Sequence, residues 1–164
     1  MPTIIKGDTG IDKVVDGSIT PAKTQVGALP SMVQLNTANG FGTTNTQVRR
    51  FSSVTTNQGS DITYTDSATL GATFTVNANG VYVVSYTDQL NTTAANLGVT
   101  LNSLASIGSA AAPILCAAMT AAAGVATSCA GGFYLAAGSV IRALASAPSG
   151  TSGPLCSFTI TRVA

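Results

Sequence analysis

Residues 74–86 read FTVNANGVYVVSY, and the spacing within them decides the fold class. A short apolar run ends at Val76, and a second, alternating run begins at Val81. Side chains alternate across an extended chain, so Phe74 and Val76 share one face. Tyr82, Val84 and Tyr86 share another, with Val81, Val83 and Ser85 opposite them. β-branched and aromatic residues suit a packed sheet face. Asn-Gly tolerates the positive φ of tight β-turns, so Asn79 and Gly80 read as the tight turn of a hairpin joining two strands.

The same texture extends in both directions. MVQLN, from Met32, alternates at period two, and a polar, Gly-rich loop, NTANGFGTTNT, follows from Asn36. QVRRFSSV and DITYTDSA give two further strands, and Leu97, Val99 and Leu101 alternate in another. Residues 105–130 are Ala-rich, and propensity alone favours a helix there. Pro113, the Thr and Ser spacing and the short alternating neighbours argue for strands at Ile114–Met119 and Val125–Gly131; the helix stands as the alternative. Val140–Leu144 and the closing SFTITR complete the set. Some eight to ten short strands without βαβ alternation predict an all-β domain over residues 32–164, a β-sandwich or jelly roll.

Residues 1–31 differ. Lys6, Asp8, Asp12, Lys13, Asp16 and Lys23 lie here, nearly half of all the charges, and few apolar residues recur at a core-building period. The segment reads as an N-terminal arm. Asp8, Asp12 and Asp16 recur every fourth residue, although Gly7, Gly10 and Gly17 oppose a helix. Ile4, Ile5, Val14 and Val15 supply apolar contacts for a partner, with the charges around them. The start, MPTIIKGDTG, has no long apolar run and does not read as a signal peptide.

Composition narrows the function. Only 8 % of residues are charged and the formal net charge is +1, against about 25 % charged in ordinary soluble domains. Such a surface favours burial against other chains. A broad basic footprint for nucleic acid is missing. The most apolar window, from Ser109, is mostly Ala and broken by Pro113 and Gly124, unlike a spanning helix. The chain has no histidine and no glutamate, so a Ser-His-Asp triad cannot form within it. Beyond residue 31 the acids are Asp61, Asp66 and Asp88. They read as solvated or turn-capping carboxylates, with an Asp-only calcium site as the alternative. Cys116, Cys129 and Cys156 lack CxxC spacing and read as three free, buried thiols. No catalytic residue, cofactor or metal is implied. In VRRF one of Arg49 and Arg50 points inward in an alternating strand and, if buried, needs an acid or carbonyls; plain exposure is the main reading, with a pair across a subunit boundary as the alternative.

The order of these elements resembles the C1q/tumour-necrosis-factor-like trimeric jelly roll, in the version carried by bacteriophage fibre and virion decoration proteins. Two segments carry the resemblance: Phe74–Tyr86, like an F-x-x-x-x-x-G-x-Y-x-x-x-Y motif, and Leu135–Arg142, like a late L-x-x-G-D-x-I/V turn and strand. Ser139 stands where Asp is frequent in that turn. Val33–Phe51 also looks like the opening of phage fibre-tip domains, and Asp16–Lys23 like the linkers before them. The resemblance implies a non-enzymatic homotrimer on a virion surface, made in the host cytoplasm. It implies a short head fibre or capsid decoration held to a capsid or tail protein by the arm, through Ile4, Ile5, Asp8, Asp12, Val14, Val15 and Asp16. The alternative is a tail-fibre tip that recognises a host surface glycan. For that role the loop residues Asn39, Phe41, Thr43 and Asn45 are the candidate contacts.

Overall fold

The computed structural model describes residues 30–44, 47–107, 113–149 and 155–164. The arm residues Ile4 to Asp16, and Asn45, lie outside the described residues. Among the described residues ten strands form: β1 (Met32–Phe41), β2 (Arg49–Gln58), β3 (Ile62–Ser67), β4 (Gly71–Val76), β5 (Gly80–Gln89), β6 (Asn96–Leu101), β7 (Ile114–Met119), β8 (Ala126–Leu135), β9 (Val140–Ala145) and β10 (Ser157–Arg162). They make two five-stranded antiparallel sheets, ordered β2-β1-β10-β5-β8 and β3-β4-β9-β6-β7. This is a jelly roll, in which β10 returns to lie between β1 and β5.

The alternation seen in the sequence builds the core. Val33, Leu35, Tyr82, Val84, Tyr86, Phe158 and Ile160 face inward from one sheet. Ile62, Phe74, Val76, Leu97, Val99, Ile141 and Ala143 meet them from the other. At the centre the Phe74 and Phe158 rings stack across the two sheets with centroids 4.2 Å apart. Tyr64 stacks on Phe74 at 5.3 Å, and Tyr86 and Phe51 tilt against Phe158.

FTVNANGVYVVSY is not a hairpin. Its two runs belong to different sheets, and residues 77–79 carry the chain from one to the other. A pattern of inward residues looks the same whether two strands pair or face each other across a core. Gly80 has no positive φ, unlike Gly40, Gly59, Gly71, Gly124 and Gly138. It is the first residue of β5, where the chain terminus crosses it: Val81 N–H donates to the Ala164 carbonyl at 2.8 Å, and a Cβ on Gly80 would overlap that oxygen and the Arg162 side chain. Asn79 ties the corner together instead of turning it. Its side-chain oxygen accepts from Ala137 N–H at 2.8 Å and its carbonyl from Arg162 Nη2 at 2.9 Å.

One other expectation changes, and the strand reading of the Ala-rich region holds. Asn36–Phe41 is not loop but the second half of β1, kept in the sheet by irregular pairing with β2 between Ala38 and Phe41 and by positive φ at Thr37 and Gly40. The Ala-rich region is strand, not helix, at β7 and β8, and β8 runs on through Gly131 and Gly132 to Leu135. Small side chains let β7 lie close on β6, where Ala117 sits opposite Gly98.

Because the space over Gly80 is filled by backbone, Gly80→Val should destabilise the fold by about 1–3 kcal/mol, the usual cost of overpacking. Urea melts of the two proteins at equal concentration check this; a midpoint unchanged by the substitution contradicts the close approach.

Candidate functional site

Beyond residue 31 the charged residues are Asp61, Asp66, Asp88, Arg49, Arg50, Arg142 and Arg162, and each aspartate is taken by an arginine of the same chain. Arg50 grips Asp66 through Nε and Nη2 at 2.7–3.2 Å, linking β2 to β3. Arg162 meets Asp61 at 3.1 Å, and Ser31 Oγ donates to the same carboxylate at 3.0 Å. The third pair is buried. Arg49 is 1 % and Asp88 0 % exposed, with Arg49 Nη2 and Asp88 Oδ2 2.5 Å apart.

Alternation turns both members of this third pair inward. Asp88 continues the inward series of Tyr82, Val84 and Tyr86 on β5, and Arg49 is the inward member of its arginine pair on β2. β1 and β10 lie between these strands, so the long guanidinium arm spans the gap. A buried ion pair is tolerated only where its remaining donors and acceptors are met. Here Arg49 Nε donates to Tyr86 Oη at 3.3 Å and Nη2 to the Ala147 carbonyl at 3.2 Å. Asp88 accepts from Tyr86 Oη at 2.7 Å, Ser149 Oγ at 2.7 Å and Gln89 N–H at 2.8 Å. The Phe41 ring covers the guanidinium at 4.2 Å, a cation–π contact. Burial opposes the Arg49 charge, but Tyr86 and Asp88 outweigh it and raise the pKa above the ordinary arginine value. Burial holds the Tyr86 phenol well above its usual range and, with Asp88 nearby, raises the Cys156 thiol also. The cluster therefore presents no free base, nucleophile or acid at neutral pH. It fixes structure.

What remains open is a face. Outward residues of β1, β10, β5 and β8 align in three cross-strand rows. The first is Met32, Thr161, Val83 and Gly132; the second is Gln34, Thr159, Ser85 and Ala130; the third is Asn36, Ser157, Thr87 and Ser128. None is charged. Val81 and Tyr134 extend the patch at one end, and Val83 is 44 % and Tyr134 70 % exposed. The opposite sheet is covered on part of its outer side, around β9. There Val48, Ile107 and Leu144 form a second buried cluster, with Ile107 N–H donating to Gln47 Oε1 at 2.8 Å. Arg142 lies on that covered side against the Ser103 carbonyl, and burial lowers its pKa.

The candidate glycan residues are spread over different surroundings. Asn39 and Thr43 are exposed, whereas Phe41 is partly buried against the core with Arg49 over its ring. The expected alternative for the inward arginine, a pair across subunits, gives way to the intrachain Arg49–Asp88 pair.

No protein-family model matches the chain, and no curated protein matches its sequence. Solved structures do match in fold. Murine APRIL at pH 8.5 superposes with a TM-score of 0.58 at 17 % identity, covering 82 % of this chain and all of that one. Murine APRIL structures at pH 8.0 and pH 5.0 give TM-scores of 0.55 and 0.54 at 16 % identity, with the same coverage. The chain has the C1q/tumour-necrosis-factor-like jelly-roll fold.

Removing one member of the buried pair should cost far more than removing both. Asp88→Leu strands the Arg49 charge and is expected to lose about 3–5 kcal/mol, and Arg49→Met with Asp88→Leu to recover most of it. Denaturant unfolding of the three proteins at neutral pH measures this; equal losses in the single and double variants contradict a mutually satisfied pair.

Proposed function

We propose that this chain is a structural bacteriophage virion protein, a homotrimeric head fibre or capsid decoration. In this reading residues 1–31 hold a capsid or tail protein and the jelly roll projects from the particle surface. The observation that carries the proposal is the charge-free outward face of β1, β10, β5 and β8. Burying it strips water from no charged group, and its small side chains permit close approach. On the other sheet the described residues of the chain itself cover the outer side around Leu144. Association through one unlike pair of surfaces closes into a ring when the rotation allows, which caps the assembly. The phage setting rests on the sequence resemblance and on the distinct composition of residues 1–31. The reading is non-enzymatic, since the described acids are all engaged with arginines. Exposed Asn39 and Thr43 at the end of β1 support the second reading, a tail-fibre tip that binds host surface glycan. A trimer would present three copies of that site and gain from multivalency.

Two experiments test these readings. Native mass spectrometry of the purified chain should give a trimer, and Val83→Arg, which places three charges into the shared surface, should give folded monomers. A wild-type monomer at micromolar concentration contradicts the assembly. Separately, deletion of residues 1–30 should abolish association with purified phage particles while the remainder still forms trimers. Undiminished decoration by the truncated chain means that the arm is not the anchor.

A further inference from the structure

Cys116 of β7 and Cys129 of β8 belong to different sheets, yet their sulfurs lie 3.2 Å apart. Both are free thiols. β7 and β8 are the last strands of their sheets on the same side of the sandwich, joined by residues 120–125. The facing strands are placed independently of the cysteines. Cys116 is fixed by pairing with Val99 and Cys129 by pairing with Tyr86. The two sulfurs therefore meet across the core between rigid partners, and need only close to a bond length of about 2.05 Å. Their surroundings differ. Cys129 is buried, whereas Cys116 is half-buried on an edge strand whose neighbours Ile114 and Met119 are exposed.

We propose that Cys116 and Cys129 form a modification site, at which a low-molecular-weight disulfide converts the two thiols into an intrachain bridge between the sheets. Cys116 is the attacking sulfur. The Cys129 thiol beside it and the Val99 backbone stabilise its thiolate, against the opposing effect of burial, and lower its pKa. Cys129 keeps its proton until the second step. In the first step the Cys116 thiolate attacks one sulfur of the small disulfide; that S–S bond breaks and one small thiolate leaves. In the second, the Cys129 sulfur attacks Cys116, its proton passes to the second departing thiolate, and the protein S–S bond forms. Two protein thiols are oxidised and one small disulfide is reduced to two thiols. Cys156 takes no part, since it is fully buried beside Asp88. The bridge fastens the edge of the sandwich opposite the Arg50–Asp66 pair, so the fold would tighten when the protein passes from a reducing to an oxidising medium. This inference is independent of the virion reading.

The test treats the folded full chain with oxidised glutathione. Titratable thiols should fall from three to one, with the chain still monomeric on a denaturing, non-reducing gel, and the melting temperature should rise. Cyanogen bromide cuts after Met119 and trypsin after Arg50 and Arg142. Fragment 51–119 should then stay joined to 120–142, with 143–162 free. Cys129→Ser should stop at the glutathione adduct on Cys116, and Cys116→Ser should form none. Three thiols surviving in the folded protein, a bridge that includes fragment 143–162, a bridge between chains, or a wild-type adduct that never closes would each overturn the proposal.

Discussion

The contact between Phe74 and Phe158 is the one on which the rest of the molecule depends. It joins the two sheets at their centres, and its members are far apart in sequence: Phe74 on β4 and Phe158 on the last strand. Until β10 slides between β1 and β5, the first sheet has no middle and the stack has no partner. The fold is therefore built from long-range pairings whose loop-closure entropy must be met before the core rewards it, the pattern of a slow-folding β-protein. Tyr86 reaches from the Phe158 ring to Arg49 and Asp88. The aromatic core and the buried ion pair are thus one continuous unit.

That unit governs how charge is distributed. Three aspartates serve the jelly roll, and each faces an arginine of the same chain, one pair fully inside and two at the surface. A surface pair contributes little to stability. The consequence is felt elsewhere: with the few charges drawn to these places, the outward residues of β1, β10, β5 and β8 carry none. Low charge in the composition thus becomes a flat neutral surface at one location.

Much of this was legible in the sequence, and the failures share a cause. The inward set Phe74, Tyr82, Val84 and Tyr86 is visible from period-two alternation alone. The same count puts Asp88 on the inward face, the signal that names the partner of the inward arginine. Pro113 and the spacing of Thr and Ser were enough to resist the helix that alanine suggests. Periodicity, however, reports the face and never the sheet. It left β4 and β5 looking like a hairpin, and it gave no means of seeing that Cys116 and Cys129 meet across the core. The second half of β1 was hidden because its irregular register breaks the alternation, and Asn, Gly and Thr there resemble a loop. Gly80 looked like a turn residue when its role is to let the chain terminus pass.

The edges bear on how the proposed trimer would assemble. A sandwich of two open sheets has four edge strands, here β2, β3, β7 and β8, and exposed edges invite unlimited strand addition. On one side Arg50 and Asp66 clamp β2 to β3, which places charge on both edges. On the other, β7 is short and its pairing with β6 is irregular between Val99 and Thr100, a poor template for further strands. On β8, Phe133 packs over Gly131. Strand addition is thus discouraged on both sides while the neutral face is left bare. In the proposed trimer, copies would meet through that face, and a contact between unlike surfaces closes into a ring when its rotation allows.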